Sequence, residues 1–146
     1  MGKKEINGLS QSILESYSSQ LLDVSKNIDQ DILKAAELII NNSGKVVISG
    51  LGKSGLIGQK IVATLCSTGT RSVYMHAAEA IHGDLGIYNP GDPTILISKS
   101  GNTEELVKLI PILKEFKSPL IAIVGNVDSF IAKNSDIVLN LSLIHI

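Results

Sequence analysis

Two short stretches of this 146-residue sequence carry residue types that hold anions and move protons. In the first, Gly50-Leu51-Gly52-Lys53-Ser54-Gly55, glycines let the backbone come close to a ligand, and the free N–H groups of a helix starting near Gly55 favour a negative charge. Lys53 is the odd member, because a cation at a helix N-terminus opposes the macrodipole by ~0.3–1 kcal/mol. Contact with an anionic substrate or transition state explains it better than simple exposure to solvent. The second stretch, Ser98-Lys99-Ser100-Gly101-Asn102-Thr103-Glu104-Glu105, places three hydroxyls and a glycine between a buried strand and a helix start, where side-chain and backbone donors can wrap a phosphate. A capping explanation competes with this. Asn102 would cap the helix and Glu105, three residues on, would close a capping box. That accounts for two residues and leaves Ser98, Ser100 and Gly101 unexplained, so phosphate binding is favoured.

Nucleotide chemistry is excluded by specific absences. Gly50-x-Gly52-x-x-Gly55 fits a dinucleotide fingerprint, but that fold wants an acid at the end of the second strand to hold the ribose, and here the strand ends at Met75-His76 with no acid before Glu79. Gly52-Lys53-Ser54 imitates a P-loop, yet the glycine needed five residues earlier is Val47.

Positioning these turns requires alternating elements. Candidate strands are Lys45–Ser49, Ser72–Met75, Thr94–Ser98, Leu120–Val124 and Asp136–Leu141, with helices at about Gly55–Ser67, Ala77–His82, Thr103–Phe116 and Ser129–Ala132 between them. Such alternation means right-handed crossovers: an α/β fold, doubly wound around a parallel sheet of about five strands. Apolar residues at helical spacing from Ser10 to Asn42 predict a long N-terminal helical segment, broken near Lys26-Asn27. The domain reading is a helical segment over 1–42, an α/β domain over 43–142 and a tail over 143–146.

Composition agrees and narrows the partners. Hydrophobic residues make up 44% and charged residues 18%, with no Trp, which suits strands buried on both faces. A net charge of −1 gives no field for nucleic acid or anionic membrane. No stretch reaches the ~18 apolar residues of a membrane span, and a cytoplasmic location is expected. Cys66 stands alone, which leaves no internal disulfide or thiolate cage, and its pattern with Ile61, Val62 and Leu65 predicts a small buried residue.

Ser98-x-Ser100-Gly101-x-Thr103 after one strand, with Gly50-x-Gly52-x-Ser54 after another, resembles the SIS (sugar isomerase) domain, a flavodoxin-like or Rossmann-like fold. Within that family, Gly50–Gly55 together with Ser67-Thr68-Gly69-Thr70 and Ala80-Ile81-His82-Gly83-Asp84-Leu85-Gly86 resembles the arabinose 5-phosphate isomerases, over about Val46 to Leu141. The resemblance implies interconversion of ribulose 5-phosphate and arabinose 5-phosphate through an enediol, on the way to the eight-carbon acid of bacterial surface polysaccharides such as lipopolysaccharide. It implies Lys53 and Glu105 as catalytic residues, as electrostatic stabiliser and proton-transfer group, and His82 as a ring-opening or shuttle residue. Ser54, Ser98, Ser100, Gly101 and Thr103 match phosphate-cradling positions, and Gly69 and Thr70 match a turn lining the sugar. His76 matches a histidine associated with zinc in some relatives, although one imidazole is no metal site without further ligands. No cofactor is implied as required, and zinc only as an adventitious or inhibitory ion. A homo-dimer or homo-tetramer is implied, with the long N-terminal helix as a contact.

Two departures from the family pattern stand out. Lys99 occupies a position that is often neutral. The closing residues Leu143-Ile144-His145-Ile146 read like translated sequencing-adapter DNA in place of the family's continuation, which would bring another catalytic glutamate and histidine and commonly paired CBS modules, so a truncated fragment is expected. Two alternatives stay open: a non-catalytic sugar-phosphate sensor and an enzyme for another sugar phosphate. The N-terminal segment lacks the basic surface and paired short helices of a DNA-binding sensor.

Overall fold

A computed structural model describes residues 2–26 and 30–141. The tail 143–146 and part of the break expected near Lys26-Asn27 lie outside the described residues. Runs rich in Val, Ile and Leu form five strands: β1 (Val46–Gly50), β2 (Ser72–His76), β3 (Thr94–Ser98), β4 (Leu120–Val124) and β5 (Ile137–Asn140). All neighbouring pairs are parallel, in the order β2-β1-β3-β4-β5.

The helices are α1 (Lys3–Lys26), α2 (Gln30–Ile40), α3 (Gly52–Ser67), α4 (Ala77–Ile81), α5 (Glu104–Glu115) and α6 (Phe130–Lys133), with a 3-10 turn at Asp84–Ile87. Alternation along each strand assigns their faces. Val47, Leu96, Ala122 and Val124 point to the side covered by α4, α5 and α6, where Leu106, Leu109, Ile110 and Leu113 of α5 are buried. Val46, Ile48, Ile95, Ile97 and Ile121 point the other way, toward Ala35 of α2 and Ile61, Val62 and Leu65 of α3. The sheet is therefore wound on both faces, which is why its strands are apolar at nearly every position. Helix α1 carries no buried residue. No helix among the described residues is long and apolar enough to cross a membrane.

Cys66 corrects an expectation. It is exposed, near the end of α3, with its Sγ 3.3 Å from Ser72 Oγ at the start of β2. That hydroxyl holds the thiol below its ordinary pKa.

At the end of the sheet where the strands begin, Asp92 ties the frame together. Its carboxylate accepts from Lys45 Nζ at 2.5 Å and from the backbone N–H groups of Lys45 and Asn89 at 3.1 and 2.8 Å. A buried chain of hydroxyls, Tyr88 to Thr94 to Ser118, continues from it.

Candidate functional site

In the order 2-1-3-4-5 the chain leaves β1 toward β2 on one side and returns to β3 on the other, so the crevice outside their carboxyl ends is the place for a ligand. Gly50 at the end of β1 is in register with Ile97, one residue before Ser98 ends β3. The two sequence-predicted turns are thus side by side, one strand spacing of ~4.8 Å apart. Helix α3 leaves the crevice on one face of the sheet and α5 on the other.

The first turn is tighter than the sequence suggests. Helix α3 begins at Gly52 in place of Gly55, with Leu51 as N-cap and no side-chain cap bond. A Cβ at Gly50 would lie 3.0 Å from the Ser54 carbonyl carbon and 3.1 Å from Gly55 N, so a glycine there lets the helix start against the strand end. Tyr74 Oη donates to Gly50 O at 2.7 Å and fixes the turn from β2. Lys53 therefore occupies the second helical position, exposed, and Ser54 the third, half-buried. Among the described residues no ion pair engages Lys53.

The second turn is organised by Ser98, which is 2% exposed. Its Oγ accepts from Gly101 N–H at 3.0 Å and shares a 2.7 Å bond with Thr103 Oγ1. Gly101 has φ +66°, and a Cβ there would collide with the Ser129 side chain. Ser100 is exposed and its Oγ accepts from Asn102 N–H at 3.2 Å.

The capping box is not formed. The N-cap of α5 is Thr103, without a side-chain cap bond, while Asn102 Oδ1 accepts from Phe130 N–H at 2.9 Å. Both long helices at the crevice thus present N-terminal N–H groups that no side chain caps, the arrangement that receives an anion. Glu105 is half-buried at the second position of α5, matching Lys53 on α3, while its neighbour Glu104 is engaged by Lys108 at 2.5 Å. An ammonium and a carboxylate therefore stand at equivalent positions on two helices flanking one crevice.

His76 ends β2 in register with Gly50, beside the first turn, its ring edge-on to Tyr74 with centroids 6.5 Å apart. Among the described residues no group of three or more His, Cys, Asp or Glu could hold a metal, so His76 has no co-ligands there. His82 is the exposed C-cap of α4, about 7 Å along that helix from the sheet edge.

Gly69 and Thr70 are set apart from the rest. Helix α3 runs 16 residues, about 24 Å, away from the crevice before reaching them. There Gly69 N–H bonds to Cys66 O at 3.2 Å and Thr70 N–H to Leu65 O at 2.9 Å, with φ +91° at Gly69. This is a Schellman helix end leading into the start of β2. Within one chain the two residues lie at the opposite end of the sheet from the phosphate turns.

Asn102 and Ser129 are site residues that the sequence did not single out in these roles. Asparagine beside a predicted helix start reads as that helix's cap, and nothing local shows that a different helix takes it.

Comparison with known proteins agrees with this geometry. Residues 39–143 match the model of the SIS domain. The chain is 50% identical over 131 residues to arabinose 5-phosphate isomerase KpsF of Escherichia coli O6:H1, covering 89% of this chain and 40% of that protein. To arabinose 5-phosphate isomerase KdsD of Pseudomonas aeruginosa it is 45% identical over 116 residues, 80% of this chain and 36% of the relative. The chain thus spans about two-fifths of the length of these curated relatives. The solved structure of E. coli CFT073 c3406 in complex with arabinose 5-phosphate superposes with a TM-score of 0.91 at 33% identity, over 97% of this chain and 75% of that one. With its doubly wound sheet, two uncapped helix starts at the switch point and a family match over most of its length, this chain belongs to the SIS domain family.

Proposed function

We propose that this chain is the sugar-phosphate-binding part of an aldose–ketose isomerase that interconverts ribulose 5-phosphate and arabinose 5-phosphate. The observation that carries the proposal is the pair of strand-end turns at the β1/β3 crevice, each opening a helix whose first N–H groups have no side-chain cap. The choice of sugar is supported by the named isomerases to which the chain is similar.

The phosphate sits against Ser54, Ser98, Ser100, Gly101 and Thr103. Isomerisation moves one proton between neighbouring carbons through an enediol and changes no net oxidation state, so no cofactor is required. The Glu105 carboxylate takes the proton from the carbon beside the carbonyl and returns it to the next carbon, a service worth roughly 10²–10⁴-fold. The Lys53 ammonium faces the oxyanion that develops meanwhile. His82 serves ring opening or proton transfer between the oxygens. The product feeds bacterial surface-polysaccharide synthesis, and the charge of a phosphorylated sugar goes with a cytoplasmic site of action. The active form is a dimer or tetramer in which α1, with its exposed apolar residues, supplies a contact.

Titration calorimetry tests the site in this chain. Arabinose 5-phosphate is expected to bind and unphosphorylated arabinose not to. Preference for a hexosamine phosphate would transfer the proposal to another substrate, and binding of no sugar phosphate would end it. In a full-length relative, replacing the glutamate matching Glu105 by Gln is expected to lower kcat by roughly 10²–10⁴-fold with substrate affinity nearly unchanged. Undiminished turnover would remove Glu105 from the chemistry.

A further inference from the structure

Two residues that commonly cap helices stand at the start of α5, and neither caps it. Asn and Thr side chains accept a hydrogen bond from the N–H at the second or third helical position. Here Thr103 Oγ1 is turned to Ser98 Oγ, and Asn102 Oδ1 is taken by the N–H of Phe130, the first residue of α6. Asn102 also binds its own turn, donating from Nδ2 to Ser100 O at 3.3 Å and from its backbone to Ser100 Oγ at 3.2 Å. One side chain therefore grips both the turn and a neighbouring element. Two backbone bonds of 3.0 Å run alongside, from Gly125 N–H to Lys99 O and from Ile131 N–H to Gly101 O.

We propose that Asn102 is a positioning residue, which anchors the Ser98–Thr103 turn to α6 through the Phe130 N–H and so keeps the first N–H groups of α5 open to the phosphate. The inference rests on the sugar-phosphate function proposed above and adds a residue that acts on the ligand through another element. Releasing the anchor takes away the outer support of the turn, whichever end of the bond is removed.

The anchor can be cut from its other end. Phe130 has an exposed side chain and holds the first position of α6, where proline is well accommodated. Ser129 already has φ −68° and ψ 162°, as a residue before proline requires. Phe130→Pro therefore removes the N–H donor with little other change to the backbone.

In calorimetry of the 146-residue chain with arabinose 5-phosphate, Asn102→Ala is expected to weaken binding roughly 3- to 10-fold, the equivalent of one net hydrogen bond. Phe130→Pro should weaken it equally, and the double variant no further than either single one. Additive losses, or full affinity in Phe130→Pro, would overturn the proposal, since Asn102 would then act by direct contact or not at all. Backbone amide NMR of the ligand-free chain gives a second readout. The Phe130 amide resonance is expected to move in Asn102→Ala, and an unmoved resonance would show that no anchor exists. If the unsubstituted chain binds no sugar phosphate, the functional proposal fails and this one with it. Normal binding with additive losses sinks this one alone.

Discussion

Lys53 and Glu105 hold the same helical position on α3 and α5, and the dipole treats them oppositely. A carboxylate there is favoured by the free N–H groups, while an ammonium is opposed by ~0.3–1 kcal/mol. An unfavourable cation placed beside an anion site is more easily understood as chemistry than as packing. At the other end of the sheet a single carboxylate has a purely structural task. Burial pushes the Asp92 carboxyl up, but the Lys45 ammonium and the N–H groups of Asn89 and Lys45 outweigh it and hold it below its ordinary value. A carboxyl whose pKa is depressed on folding contributes stability above its unfolded pKa of about 3.9, lost as pH falls through the folded value. Asp92→Asn is expected to cost ~1.5–3 kcal/mol near neutral pH, the worth of hydrogen bonds to a charged group. The gap in Tm between the two chains should close as pH is lowered from 6 toward 3. A gap that stays constant in a calorimetric pH series would show that the charge of Asp92 contributes nothing. The residue types of both turns were legible in the sequence, because serine, glycine and lysine at a strand end have few other uses. The partners were not legible. Asn102 looked like a cap because its acceptor reaches 28 residues along the chain to Phe130, a contact that only tertiary structure creates.

Among the elements, β3 and β4 fall on the residues predicted, since a buried parallel strand shows as an uninterrupted apolar run with turn residues on both sides. Helix α3 begins three residues earlier than predicted, because Gly52, Lys53 and Ser54 read as loop when the strand packed against them is unseen. Helix ends show a related contrast. Helices α3 and α5 both close in Schellman geometry, α3 through Gly69 and α5 through Lys117, whose φ is +55°. In α5 the Ser118 N–H bonds to Leu113 O at 3.0 Å, so the motif forms although the left-handed position carries a side chain. Lysine has no local reason to occupy it, and glycine does so without steric cost. Lys117→Gly is expected to raise stability by about 0.5–1 kcal/mol despite the added freedom of the unfolded chain, since a left-handed residue with a Cβ costs ~1–2 kcal/mol. Urea denaturation at constant slope checks it, and a lower midpoint in the variant would mean that the left-handed lysine is not strained. Gly69→Ala at the equivalent position of α3 should move the midpoint the opposite way.

Across the whole molecule, the strand order decides where function can lie. Reversal of direction between β2 and β3 opens one crevice, and the two chemically unusual turns fall on either side of it, although 45 residues separate Gly52 from Ile97 in sequence. That convergence follows from the strand order, while the reading of alternating strands and helices named only the strand-end turns as the places to search. The placement of α1 does not follow from the same rule. Over its 24 residues, about 36 Å, Ile6, Leu9, Ile13, Tyr17 and Leu21 recur at steps of three or four and are all at least 44% exposed. A monomer rarely leaves so long an apolar stripe uncovered. A second copy of the chain offers the same stripe in return, the self-complementary arrangement of a two-fold dimer. Since a stable interface needs about 800 Å² from each partner, a pair of α1 helices would seed the contact and other apolar residues would complete it. Changing Ile13 and Leu21 together to Lys is therefore expected to reduce the mass found by sedimentation equilibrium to that of one chain. Melting of the sheet core should scarcely change, because substitutions at exposed sites usually alter stability by less than about 0.5 kcal/mol. If the unsubstituted chain sediments as a single copy up to hundreds of micromolar, α1 is not a self-association surface. If the doubly substituted chain keeps the larger mass, assembly runs through another face.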